Sequence, residues 1–115
     1  MTVAEIIQAL RLIEYSSGSG LDREVRGASD MLSDVMAHCR RGDVWVTIQS
    51  HRNVVAVASL VEAAGIILAA GILPSPDVID KAKDEGVVLL STHLPAFEVC
   101  GRLYELGIKG EVPGE

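Results

Sequence analysis

Aromatic side chains are almost missing from this chain: Tyr15, Trp45, Phe97 and Tyr104 are the only four in 115 residues. Apolar residues nevertheless make up 49% of it. The core must therefore be assembled from Val, Ile, Leu and Ala, the composition of buried parallel strands and small-residue helices. Cysteine is scarce too. Cys39 and Cys100 stand far apart and in no metal-type spacing, which argues against a disulfide framework and for small core hydrophobes in a reducing compartment. Basic residues are outnumbered, 10 to 16, giving a net charge of −6. They are scattered, so no face can neutralise a row of phosphates, and nucleic acid and anionic membrane are both disfavoured as partners. No apolar run approaches the ~20 residues that span a bilayer. The first apolar segment carries Glu5, Gln8 and Arg11, unlike a signal peptide, and a cytoplasmic location is expected.

Catalytic fingerprints are absent as well. There is no G-x-S-x-G, no G-x-x-x-x-G-K, and no G-x-G-x-x-G opening a helix. Gly18-Ser19-Gly20 is too short for a phosphate loop and precedes a strand. His38 and Cys39 are neighbours, but adjacent residues on a helix point different ways and cannot share the hydrogen bond a thiolate nucleophile needs. No enzyme is expected.

What is present is alternation. Residues 2–15 predict an amphipathic helix: Thr2 and Glu5 have capping-box spacing, and Val3, Ile6, Ile7, Leu10 and Ile13 form its stripe. There follow a strand over 22–26 and a helix over 29–39, then a strand over 43–48 and a helix over 52–64. A strand over 65–69 leads to a helix over 75–85, and a strand over 86–90 to a helix over 94–106. Such alternation with short linkers predicts an α/β fold in three layers, a mainly parallel sheet of four to five strands with helices on both faces. Phe97, Cys100, Leu103, Tyr104 and Leu106 are expected on one side of the last helix. Residues 1–110 read as one domain and 111–115 as a flexible tail.

The helix over 52–64 stands out. After Asn53 it runs V-V-A-V-A-S-L-V-E-A-A, with Glu62 its only charge. A helix apolar nearly all round is buried nearly all round. Either a second copy covers its outer face, through Val54, Val57, Ala58 and Val61, or the first helix of the same chain does. A homodimer is the expectation carried forward.

Four collinear segments, V-R-G-A-S-D-M-L-S-D-V (25–35), W-V-T-I-Q-S-H-R-N-V-V-A-V-A-S-L (45–60), G-I-I-L-A-A-G-I-L-P (65–74) and L-P-A-F-E-V-C-G-R-L-Y-E-L-G (94–107), resemble the DRTGG domain family, in particular its small stand-alone members. The resemblance covers residues 2 to about 108. It implies an α/β domain related to the amino-terminal domain of HPr kinase/phosphorylase, found beside CBS domains in regulated pyrophosphatases and in phosphotransacetylase-like proteins, in regulatory, dimer-forming parts and with no catalytic activity of its own. Stand-alone members are associated with iron-only hydrogenase and signalling-kinase genes. This chain departs from the family's named residues. The Asp-Arg pair falls on His51 and Arg52, the Thr-Gly-Gly on Ala69, Ala70 and Gly71, and the Asp-Thr-Phe after the last strand on Pro95, Ala96 and Phe97.

In open parallel sheets ligands gather where loops leave the carboxyl ends of strands and helix amino termini offer free amides. Four junctions are expected there: Gly27 to Asp30, Ser50 to Asn53, Gly71 to Ser75, and Ser91 to His93. The candidate ligand-binding residues are Gly27, Ser29, Ser50, His51, Arg52, Asn53, Gly71, Thr92 and His93. Arg52 offers an anion a fork of donors, and the glycines allow close backbone approach. The bland reading is that Ser29, Ser50 or Asn53, and Ser75 cap helices while Arg52 pairs with a surface acid. His51 and His93 have only Asp30, Thr92, His38 and Cys39 to join them, with no close-spaced pair, so neither a metal nor a cofactor is expected. Asp30 and Asp34, one helical turn apart, read as first-turn acids complementing the dipole. The expectation is thus a non-catalytic homodimeric regulatory or assembly module serving a hydrogenase or signalling-kinase system, with a protein partner there. The alternative is a sensor that binds a nucleotide or other anion at the strand ends.

Overall fold

The computed structural model describes residues 1–17, 20–25, 27–29 and 41–109. Its elements are α1 (Val3–Leu10), β1 (Ile13–Ser16), β2 (Gly27–Ser29), β3 (Asp43–Thr47), α2 (Arg52–Leu60), β4 (Gly65–Leu68), α3 (Pro76–Glu85), β5 (Leu89–Ser91) and α4 (Ala96–Glu105). The five strands form one sheet in the order β1-β5-β4-β3-β2. β2, β3, β4 and β5 run parallel, and β1 closes the β5 edge antiparallel. The expected three-layer α/β architecture is what is found.

Period-two alternation divides the central strands between two cores. Val44, Val46, Ile67 and Leu90 face α1 and α4 through Val3, Ile6, Leu10, Val99 and Leu103. Trp45, Ile66, Leu68 and Leu89 face α2 and α3 through Val54, Val55, Ala58, Val78 and Ala82. Every residue of β3, β4 and β5 is buried, as a parallel sheet covered on both faces requires. Successive parallel connections advancing in one direction with one hand put α2 and α3 on the same face.

The first helix is shorter than its periodicity predicts. α1 ends at Leu10, where Arg11 turns left-handed (φ 52), and residues 13–15 belong to β1 instead. The stripe reaches Ile13, yet Ile13 is half-exposed and Leu12 is the buried residue. I-E-Y-S pairs with β5, Ile13 opposite Ser91 and Ser16 opposite Leu89, covering a sheet edge that would otherwise present unpaired amides. The capping box forms: Oγ1 of Thr2 accepts from the Glu5 amide at 3.2 Å, and Glu5 accepts from the Thr2 amide at 3.0 Å. The Thr2 amide and hydroxyl hold the Glu5 carboxyl below its usual range.

The strand expected over 22–26 is displaced, because its backbone is committed elsewhere. The carbonyls of Leu21 and Arg23 accept from the first amides of α1, Ala4 at 2.8 Å and Val3 at 3.0 Å, while the Val25 amide donates to Met1. The Arg23 guanidinium reaches the other way and donates to the carbonyls of Ala63 and Glu62, both at 3.1 Å, just past the end of α2. Glu24 makes only an isolated antiparallel bridge with Thr2, and pairing within the sheet starts at Gly27. The other boundaries move by a few residues: α2 stops at Leu60 rather than 64, and β5 occupies 89–91 rather than 86–90. The helix expected over 29–39 overlaps β2 at Ser29 and otherwise lies outside the described residues. The tail at 111–115 lies outside them as well.

Helix α2 is covered within the chain, by the sheet and α3 rather than by α1. Val54 and Ala58 are 4% and 1% exposed, inside the chain's own core, whereas Val57 and Val61 are half-buried at its margin. Leu60 is 80% exposed.

Segment 20–25 is held against the sheet by a close approach at Gly20, where a Cβ would lie 2.8 Å from Cγ2 of Val88. Gly20→Ala is expected to cost about 1–3 kcal/mol by overpacking. Val88→Ala in the same chain relieves the clash, so denaturant unfolding of the two single variants and the double variant shows the two costs failing to add.

Candidate functional site

The sheet order makes the candidate junctions neighbours. The loops that follow β3, β4 and β5 leave one edge side by side and are laced together by backbone bonds. The Ala69 amide donates to Thr47, the Thr92 amide to Leu68, the Gly71 amide to Thr92 and the Ala70 amide to Leu94, at 2.7–3.0 Å. Gly71 and His93 meet there: a Cβ on Gly71 would sit 3.7 Å from Nδ1 of His93. Ser50, His51, Arg52 and Asn53 form the adjoining corner, where α2 begins. Gly27 does not belong to this edge. It opens β2, in register with Asp43 at the opposite end of β3, and Ser29 stands opposite Trp45, two residues short of the edge. Asp30, Asp34, His38 and Cys39 lie outside the described residues.

Most of the polar groups at this edge are already used locally. The cap of α2 is His51, not Ser50 or Asn53: Nδ1 of His51 accepts from the Asn53 amide at 3.1 Å, which requires the tautomer protonated on Nε2. Ser75 caps α3 as expected, accepting from the Val78 amide at 3.4 Å. The buried Thr47 and Thr92 accept from the amides of Gln49 and Leu94, two residues on, at 3.1 and 3.2 Å. Arg52 pairs with Asp77 at 3.6 Å, both well exposed, linking the first turns of α2 and α3. Such a surface pair contributes under about 1 kcal/mol, so an incoming anion could displace Asp77 at little cost. One group stands out: Oγ of Ser50 is shielded from solvent and makes no hydrogen bond.

The loop after β4 explains part of the family pattern. Ala70 and Gly71 both have positive φ, 59° and 74°, and the Ile72 amide closes the turn onto the Ala69 carbonyl at 3.2 Å. Two successive positive φ values mark a type I′ turn, which favours Gly and Asn. Ala70 and Gly71, the positions onto which the resemblance maps the glycines of Thr-Gly-Gly, are thus the two left-handed residues of a tight turn. Their first duty is backbone geometry, and here Ala70 carries the strain.

An open cavity of about 320 Å³ lies at the other end of the molecule, past the carboxyl ends of α2 and α3, lined in part by Arg23, Arg41, Ser59, Glu62 and Glu85. Its charges answer one another. Arg23 is bonded to two carbonyls, Arg41 pairs with Glu62 at 3.1 Å, and Glu85 takes Lys81 at 2.8 Å and Ser59 at 3.3 Å. These residues come from segments scattered over the sequence, with no local motif to reveal them. Among the described residues, no group of three His, Cys, Asp or Glu side chains is placed to hold a metal ion, and no helix is long and apolar enough to cross a membrane.

Substitutions at two positions test these local roles by denaturant unfolding. His51→Ala, which removes the cap of α2, is expected to cost about 1 kcal/mol, and His51→Asn to restore it. Ala70→Asn, which suits the left-handed position, is expected to stabilise the domain by up to about 1 kcal/mol.

Comparison with known proteins agrees with this architecture. A solved structure of the CBS and DRTGG domains of the regulatory region of Clostridium perfringens pyrophosphatase, complexed with its activator diadenosine tetraphosphate, superposes with a TM-score of 0.73 at 13% identity. The match covers 89% of this chain and 45% of that one, and at this identity it speaks to the fold alone. No curated protein matches by sequence. The sequence profile of the DRTGG domain matches residues 2–106, nearly the entire chain. This chain belongs to the DRTGG domain family.

Proposed function

We infer that this domain is a non-catalytic regulatory or assembly module that works by association, with a second copy of itself as its first partner. The observation that carries the reading is the display of large apolar side chains on a domain whose two cores are otherwise closed. Among the described residues, Ile13, Ile48, Leu60, Leu73, Phe97 and Tyr104 are 47–89% exposed, apolar surface that association with another chain would remove from water. The polar groups at the sheet edge, by contrast, serve caps and turns. Of the contacts expected on α2, Val54 and Ala58 are spent inside the chain, which leaves Val57 and Val61 with Leu60 as that helix's share of apolar surface. A redox or signalling system is the setting in which a protein partner for such a module is sought.

A second reading, a small-ligand sensor, is favoured by the shielded, unbonded Oγ of Ser50 beside Arg52 at the start of α2. The structurally similar regulatory region of the pyrophosphatase is itself complexed with a dinucleotide activator. In this reading a nucleotide or other anion replaces Asp77 on Arg52 and takes the hydroxyl of Ser50.

Two measurements separate the readings. Sedimentation over a concentration series is expected to give a monomer–dimer equilibrium, and a monomer at every concentration would sink the association reading. Thermal unfolding with adenine and guanine nucleotides and phosphate tests the sensor. A ligand at 100 times its dissociation constant adds ~2.7 kcal/mol, a shift of many degrees for a domain this size. Arg52→Ala should abolish such a shift while leaving the unliganded midpoint nearly unchanged.

A further inference from the structure

Helix α4 is turned differently from its expected stripe. Val99 and Leu103 are its buried residues, while Phe97 is 89% exposed and Tyr104 57%. Between these two, on the same outward line, lies Gly101, exposed and with nothing within 4 Å of where its Cβ would be. A glycine inside a helix costs about 1 kcal/mol relative to alanine, and among the described residues nothing packs over it to require the absence of a side chain. The only Phe in the sequence is thus the most exposed large hydrophobic among the described residues, placed one turn from a glycine over which none of them packs.

The geometry points to the outer face of α4 as a self-association surface, on which a second copy of this chain lays its own α4 antiparallel across Gly101. The inference rests on the association reading and assigns its interface to α4 rather than α2. The occupant follows from the pattern, which is self-complementary. A twofold axis between Cys100 and Gly101 brings Phe97 of one copy level with Tyr104 of the other, twice, since a twofold contact repeats every pairing. The other flank carries Glu98 and Arg102, paired within the helix at 3.2 Å. The same axis brings Arg102 of one copy within one residue's rise of Glu98 of the other, so both charges find opposite partners on the second copy as well. Two like-charge approaches oppose this on the same flank: Glu105 comes within two residues' rise of Glu98, and the two Arg102 within three of each other. Gly101 lets the two backbones come close. Lys109 lies over one face of the Tyr104 ring at 3.9 Å and frames the contact at its rim. One helix crossing buries less than the ~1,200 Å² of a standard stable interface, so the dimer should be weak and dependent on concentration.

Sedimentation equilibrium over a concentration series, paired with thermal unfolding at the dilute end, tests this with Gly101→Gln, Glu98→Arg, Arg102→Glu and Leu60→Glu. Gly101→Gln should weaken the dimer by about tenfold or more while raising the melting midpoint of the dilute monomer, because it removes a helix glycine. Misfolding would move both readouts down together. Glu98→Arg and Arg102→Glu should each weaken the dimer, and the two together should restore it, whereas Leu60→Glu on α2 should leave it intact. A dimer that ignores Gly101→Gln but is lost with Leu60→Glu overturns the α4 assignment and keeps the association reading. A wild-type chain that stays monomeric throughout overturns both. Loss of the dimer in both charge variants without recovery in the double variant overturns the twofold pairing.

Discussion

The structure depends on burying three parallel strands on both faces at once. β3, β4 and β5 place Trp45, Ile66, Leu68 and Leu89 on one side and Val44, Val46, Ile67 and Leu90 on the other. Each side chain removed from water contributes roughly 1.5–3 kcal/mol, but only if both faces are roofed. That requirement sets the rest: two helices on each side among the described residues, β1 laid along the β5 edge, and polar residues driven to the loops at the strand ends. With so few aromatics, small aliphatic side chains fill both layers, and the helices must sit close to the sheet.

The functional reading follows from where polarity is left over. The loops at the carboxyl edge use His51, Ser75, Thr47 and Thr92 to satisfy amides at helix starts and tight turns. A site usually pictured as a cradle for ligands is here mostly the means by which the chain ends its own backbone ladders. Ser50 is the exception, and Arg52 is held there by a weak surface pair. Apolar surface, by contrast, is left over on α4, α2 and the loops. In the association reading proposed above, that surface is what a partner would occupy or vacate at small free-energy cost.

Much of this was legible in the sequence. The strand–helix alternation from residue 43 onward could be read because each apolar run is punctuated by a cap or a proline, as at Ser75-Pro76, and the junction residues followed from it. Three features were hidden. β1 was masked because Ile13 continues the helical stripe of α1 in phase, and only the need to cover the β5 edge decides for a strand. Residues 22–26 sit where the strand–helix alternation calls for a strand, but the Arg23 carbonyl, with that of Leu21, serves α1 and the Arg23 guanidinium serves the residues just past α2, commitments between segments up to forty residues apart. The outward turn of Phe97 was hidden because Val99 and Leu103 define as good a stripe as Phe97 and Tyr104 do, and which one faces inward depends on the sheet. Strand order placed Gly71 beside His93 and removed Gly27 from the edge, and no local pattern carries that information.

The clamp around segment 20–25 has a consequence for how the domain breathes. First-turn amides of a helix ordinarily exchange with solvent fastest, because no carbonyl of the same helix precedes them. In α1, the Val3 and Ala4 amides are bonded to Arg23 and Leu21, and Arg23 is anchored to the chain beyond α2 on the opposite face of the sheet. The start of α1 and the residues just past α2 are therefore tied to one another through Arg23. Release of segment 20–25 would free the Val3 and Ala4 amides and the carbonyls of Glu62 and Ala63 together, a link between the two faces of the sheet that runs around its strands.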